Sequence, residues 1–185
     1  CITAEDRMNF SVTKTNIIFH GKVFDVKVDE IEYNGTGNKS FRQVAVHPGG
    51  AVILPLKSNG KIVLISQYRY PHNEILLELP AGKLEKDEDP LLCATRELTE
   101  ETGYTSNKIT KLGKIYTTPG FCDEVLHIYL AEDLTPGNHA REEGEEGMEV
   151  IELTLEEIEE KIRNGKIVDA KTISGVCMYK LSFGK

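Results

Sequence analysis

The sequence predicts a mixed α/β layered fold carrying a small antiparallel lobe at its N-terminus. Two features carry that expectation: short period-two apolar runs punctuated by Gly-containing turns, and an order of strands, a helix, strands again, then helices. At 185 residues, with 39% hydrophobic and 28% charged residues, the chain is long enough to bury one sizeable core.

Taken in order, FHGKVFDVKVDEIEY alternates through Val23, Asp25 or Val26, Val28 and Ile31, breaks at NGTGNKS and resumes in FRQVAVHPGG. Period-two runs on either side of an Asn-Gly turn predict a hairpin, and with it an N-terminal β lobe over 8–47. Residues 1–7 are expected to be appended ahead of a natural start at Met8, or disordered. AVILPL and KIVLISQYRY, separated by SNG, predict a second hairpin, and ILLELPAG a strand ending at Pro80. A helix is expected over 90–102. ITKLGKIYTTPGF is mixed, EVLHIYLAED reads as a strand, and 136–147 as a Gly-rich acidic loop. MEVIELTL predicts a strand. LEEIEEKIRNG predicts a helix capped by Thr154 and closed by Gly165, and DAKTISGVCMYKLS a last helix. There are no repeats and no long linker.

The formal net charge of -8 disfavours a non-specific nucleic-acid or acidic-membrane binder, which needs a basic footprint. A small phosphate ligand stays open, because a bound cation reverses the sign of a local site. No apolar run approaches the roughly 20 residues of a membrane helix, and no charged-then-apolar leader opens the chain. Cys1, Cys93, Cys122 and Cys177 lie far apart without a CxxC pair, which predicts free thiols in a reducing, cytoplasmic compartment.

The helix over 90–102 raises a physical question. Asp89 is a predicted N-cap, Pro90 fits the first helical position and Gly103 the C-terminal stop. Leu91, Ala94, Thr95 and Leu98 follow helical spacing and are the expected buried face. Glu97, Glu100 and Glu101 crowd a different face in the last turns, where the helix dipole disfavours anions and like charges repel. A hard divalent cation would offset both costs, Mg²⁺ with oxygen ligands above all.

The wider spacing gives those carboxylates a context. From Gly82 to Tyr104 the chain reads Gly82, Glu88, Arg96-Glu97, Glu100-Glu101 and Gly103 at the intervals of GX5EX7REUXEEXGU, U being a large apolar residue. This resembles the Nudix box at every fixed position. The resemblance implies an α/β/α sandwich with a mixed sheet over 48–185, divalent metal binding, and hydrolysis of a nucleoside diphosphate linked to another group. It implies Glu97, Glu101 and the carbonyl of Ala81 as metal ligands with Glu100 as a further one, Arg96 as the residue that orients the glutamates, and Glu88 in a supporting role. Mg²⁺ is the implied ion, with Mn²⁺ as its alternative.

The flanks, QYRYP, LLELPAGKLE and YTTPGFCDE, resemble the ADP-ribose pyrophosphatase branch of that family. Thr118 and Cys122 stand where serines are usual. By that resemblance Arg69 meets the substrate diphosphate or terminal ribose, and Glu78 a ribose hydroxyl or the metal region. Arg42 and Phe24 are implied near the adenine, and Gly120 and Phe121 beside the terminal ribose, with Asp123 and Glu124 as ribose contacts or turn residues. The branch takes its base from a late acidic loop, which here implies Glu146 as base or metal ligand, with Glu145 and Glu143 behind it. It also implies a homodimer that exchanges the N-terminal lobe. The expected reaction is Mg²⁺-dependent cleavage of ADP-ribose, a small-molecule nucleotide sugar, to AMP and ribose 5-phosphate. Its rivals are a pyrophosphatase of GDP-mannose or ADP-glucose, a non-hydrolytic ADP-ribose sensor, and a hydrolase of mutagenic nucleoside triphosphates.

Overall fold

The Asn-Gly turn closes a hairpin as expected, but the lobe it belongs to has three strands. In the computed structural model, which describes residues 9–138 and 147–183, β1 (Phe10–Phe19), β2 (Asp25–Tyr33) and β3 (Lys39–Val46) form an antiparallel sheet in that order. β1 escapes a period-two reading because its pairing with β2 shifts register between Val12 and Lys14 and again between Ile17 and Phe19. Each shift breaks the alternation of faces. These strands belong to one unit, Cys1–Pro48 with Thr118–Glu124; the second comprises Gly49–Thr117 and Val125–Lys185.

The second unit contains β4 (Gly50–Pro55), β5 (Ile62–Arg69), β6 (Glu74–Glu78), β7 (Ala81–Lys83), α1 (Pro90–Thr102), β8 (Tyr104–Thr105), β9 (Lys108–Tyr116), β10 (Val125–Glu132), β11 (Thr135–Pro136), β12 (Glu149–Leu153), α2 (Leu155–Arg163) and α3 (Ala170–Phe183). A four-stranded sheet runs β7-β4-β10-β9, and a three-stranded one runs β12-β5-β6. β4 and β10 pair in parallel while their outer neighbours are antiparallel, so the larger sheet is mixed.

The second predicted hairpin is not one. Leu56 and Ile62 bridge across the SNG turn, and beyond that β4 and β5 enter different sheets. The turn was a local signal; the partners were not. β4 instead takes β10, 76 residues later in sequence, in a register running from Leu126 opposite Gly50 to Ala131 opposite Pro55. ILLELPAG is likewise two strands, β6 ending at Glu78 and β7 beginning at Ala81. Between them Pro80 has no N–H for a ladder but accepts from the Ile53 amide at 2.9 Å.

Alternation along β4 builds the layers. Ala51 and Ile53 enter one apolar cluster with Cys93, Ala94 and Leu98 of α1, whereas Val52 and Leu54 enter another with Ile158 of α2 and Val176 of α3. β10 divides in the same way, Tyr129 and Ala131 toward the first and Ile128 and Leu130 toward the second. A sheet with helices packed on both faces is the α/β/α sandwich. Each fully buried Leu or Ile contributes roughly 2 kcal/mol to holding it. No helix among the described residues is long and apolar enough to cross a membrane.

Candidate active site

α1 begins and ends as its sequence requires. The Asp89 carboxylate accepts from the Leu91 amide at 2.7 Å, Pro90 occupies the first turn, and Gly103 closes the helix at φ 75°. That left-handed conformation is easy only without a side chain. The last turn holds no basic residue.

The buried face differs from the expected one. Ala94 and Leu98 are buried, but Leu91 is exposed and Thr95 half-buried, and the rest of the stripe is Cys93, Glu97, Glu101 and Thr102. The acidic face is therefore turned inward rather than solvated, with Glu97 7% and Glu101 2% exposed. Burying carboxylates demands partners. Arg96 supplies most of them: Nη1 lies 2.6 Å from Glu97 and 3.0 Å from Glu100, and Nε lies 3.1 Å from Glu88. Its Nη2 also donates to the Lys83 carbonyl at 3.3 Å. Glu101 accepts from the Ala81 amide at 2.9 Å. Gly82 lies against the same cluster: a Cβ there would stand 1.7 Å from a Glu97 carboxylate oxygen, and the glutamate would have to shift from its place on Arg96.

The electrostatics follow. The hydrogen bonds from Arg96 hold the Glu88 carboxyl below its usual range, and Glu88 with its acidic neighbours holds the Arg96 guanidinium above its own. Burial pushes the neighbouring Cys93 thiol up to about 12, so it stays protonated. One guanidinium is thus shared by three carboxylates, with a fourth, Glu101, buried on the same helix. Among the described residues no three acidic, His or Cys side chains already converge on a common metal point; Arg96 draws Glu97 and Glu100 to itself. The donor set nevertheless fits a hard divalent ion, being carboxylate and backbone oxygens around a side-chain-free glycine.

A second cluster lies in the same unit. Arg69, at the end of β5, holds Glu78, at the end of β6, by two hydrogen bonds of 2.7 and 2.5 Å. Pairing of β5 with β6 makes this geometry. Lys171 of α3 bonds the same carboxylate and lies 3.1 Å from Asp169. Burial pushes the Glu78 carboxyl up, but the hydrogen bond from Arg69 and the charge of Lys171 outweigh it and hold the group ionised. Arg69 in turn is raised, first by Glu78 and in smaller part by Glu101, which sets this cluster within electrostatic reach of the box glutamates.

The remaining candidates belong to the other unit. Arg42 donates to the Tyr33 hydroxyl at 3.1 Å and lies over the Phe10 ring. Phe24 is partly exposed beside Phe19. The segment with Gly120 and Phe121 docks on β3, where the Ala45 amide donates to the Phe121 carbonyl at 2.7 Å and the Asp123 amide to Ala45 at 3.2 Å. Asp123 also accepts from the His47 amide at 2.8 Å, and Glu124 lies 3.3 Å from the His47 ring, so both anchor the turn. Glu143, Glu145 and Glu146 lie outside the described residues.

Sequence reasoning missed Asp169, Lys171 and Thr172. Their only local signal was an Asp at a helix start; their partners, Glu78 and Leu79, lie 93 residues away.

Comparison with known proteins gives the family and the fold. The NUDIX domain family matches residues 46–174. The chain is 45% identical to an ADP-ribose pyrophosphatase of Bacillus subtilis over 89% of each chain. It is 42% identical to a methanol dehydrogenase activator of Bacillus methanolicus over 91% of each. A solved structure described as an ADP compounds hydrolase matches its fold with a TM-score of 0.83, covering 96% of this chain and 98% of that one at 19% identity. With a box helix built as above and matches of this extent, the chain belongs to the Nudix family of hydrolases.

Proposed function

We propose that this chain hydrolyses ADP-ribose to AMP and ribose 5-phosphate with Mg²⁺, as a cytoplasmic homodimer. The observation that carries the reading is the acidic cluster at α1, three carboxylates on Arg96 with buried Glu101 one turn beyond Glu97 and no basic residue in the helix's last turn. The extensive identity to an ADP-ribose pyrophosphatase supports the choice of substrate. Nudix hydrolases generally need divalent metal ions.

In this reading Glu97, Glu100, Glu101 and the Ala81 carbonyl, joined by Glu146, hold the ion. When bound, it neutralises diphosphate oxygens and lowers the pKa of a coordinated water. Arg96 keeps Glu97 and Glu100 oriented through its Nη1 hydrogen bonds. Glu146 takes the proton from the attacking water, with Glu145 and Glu143 as the neighbouring acids able to replace it. The water adds to one phosphorus, the bond from that phosphorus to the bridging oxygen breaks, and the leaving phosphate carries the electron pair. Arg69, held from behind by Glu78, presents its exposed edge to the diphosphate or terminal ribose. Arg42 and Phe24 serve the adenine, and Gly120 and Phe121 the terminal ribose. The three-stranded lobe, whose exposed apolar residues include Ile18, Phe19 and Phe41, is the surface exchanged in the dimer.

The test is turnover of ADP-ribose, ADP-glucose, GDP-mannose and dGTP under Mg²⁺, with products identified by mass. AMP and ribose 5-phosphate as the dominant products are expected. Preference for GDP-mannose or ADP-glucose would move the activity to another nucleotide sugar, preference for dGTP would move it to nucleoside triphosphates, and tight ADP-ribose binding without turnover would make the protein a sensor.

A further inference from the structure

We propose that the first turn of α3, through Lys171, Asp169 and Thr172, is a positioning device that holds Glu78 and so keeps Arg69 presented as a cation to the substrate diphosphate. The proposal rests on the reading above that Arg69 meets the substrate.

Glu78 is 1% exposed, and a carboxylate so placed is costly unless its oxygens are filled. Arg69 fills one side of each oxygen through Nε and Nη2. A bidentate pair of this kind is strong but electrically neutral, and a neutral pair exerts little pull on an anionic ligand. Lys171 changes the balance. Its side chain is 11% exposed against 37% for Arg69, so it meets Glu78 from the buried side and leaves Arg69 facing outward. Arg69, Glu78 and Lys171 alone sum to one positive charge, and Asp169, 3.1 Å from Lys171, brings the formal count of all four to zero.

Asp169 does not simply cancel that charge. Its Oδ2 accepts from the Thr172 amide at 2.9 Å and the Thr172 hydroxyl at 2.6 Å, at the N-terminus of α3. Exposed amides and the helix dipole stabilise an anion there. The Thr172 hydroxyl in turn accepts from the Leu79 amide at 2.7 Å, in a position that is 0% exposed. One helical turn thus fixes the charge partner of Glu78 and the backbone of the next residue, two positions before Ala81. No local sequence pattern would join these groups; only the fold does.

The experiment compares Lys171→Gln, which keeps a donor but removes the charge, with Lys171→Arg, which keeps the charge. Wild-type turnover of ADP-ribose is measured first, and its absence sinks the functional reading. Lys171→Gln is expected to raise KM for ADP-ribose about tenfold, the loss of one charge-assisted contact, with kcat little changed. Lys171→Arg is expected to recover most of that loss. A merely structural lysine would lower the melting temperature and leave KM of the folded enzyme alone. If Lys171→Gln does not fold, Lys171→Met, likewise uncharged and of similar length, replaces it, with the same rise in KM expected. An unchanged KM in the folded variant, or a Lys171→Arg variant as impaired as Lys171→Gln, overturns the proposal. If wild type does not turn over ADP-ribose, the crystal structure of Lys171→Gln decides: a displaced Arg69–Glu78 pair supports positioning, and an unaltered bidentate pair overturns it.

Discussion

Around Arg96 a single guanidinium faces Glu88, Glu97 and Glu100, with Glu101 a turn further on; around Glu78 two cations, Arg69 and Lys171, meet Glu78 and Asp169. Both clusters are well hydrogen-bonded. They differ in charge. The second sets two cations against two carboxylates, whereas in the first one guanidinium is shared by three carboxylates. A balanced buried cluster holds its own geometry, and breaking one partner leaves the other charge stranded. An unbalanced one is a standing cost that a bound cation removes. In the proposed function the Glu78 cluster serves stability and substrate orientation, and the Arg96 cluster metal chemistry.

The largest expected break in that contrast is Glu101→Gln. Glutamine keeps the acceptor for the Ala81 amide and removes one charge from the surplus. Turnover should fall at least about a hundredfold, since even partners behind a metal ligand are worth that much. The melting temperature should move by no more than about 4 °C, the equivalent of ~1 kcal/mol in a chain of this size. Near wild-type turnover would remove Glu101 from the metal site.

Glu78→Gln should behave in the opposite way on stability. It takes the carboxylate from Arg69 and leaves Lys171 with Asp169 alone, and urea unfolding should show a loss of about 3 kcal/mol, toward the low end for a broken buried pair because Arg69 is partly exposed. A loss as small as that of Glu101→Gln would erase the distinction between the clusters.

The smallest effect is acidification, which reaches both. Glu78 and Glu88 are held below the ordinary value of 4.5. With a folded pKa below the unfolded one, the unfolded chain binds more protons in that window, so stability rises with pH there. The contribution is complete above the ordinary value and is lost as pH falls through the depressed values. Urea midpoints should therefore stay level from about pH 7 to about pH 5 and fall below that. In Glu78→Gln the fall should be shallower; an identical slope would remove Glu78 from the acid response.

The box helix was legible because its signals are local: a capping Asp, Pro at the first turn, a closing Gly and carboxylates at fixed spacing. What could not be read was the direction in which that helix rolls. Apolar periodicity pointed to Leu91 and Thr95, but Arg96 neutralises Glu97 from the side and lets the acidic face go in. Strand partners were hidden for a similar reason. The SNG turn announced a reversal, yet β4 gains more by pairing in parallel with β10, buried on both faces, than by continuing beside β5. Lys171 was hidden most completely, because its meaning depends on a carboxylate 93 residues earlier.

The central claim is that the surplus charge of α1 exists to hold a divalent cation. Titrating Mn²⁺ into wild type and Glu101→Gln, with binding read by electron paramagnetic resonance, tests it without any substrate. Saturable binding in wild type, weakened at least about tenfold in the variant, is the result this account requires. Equal binding in the two proteins would contradict it.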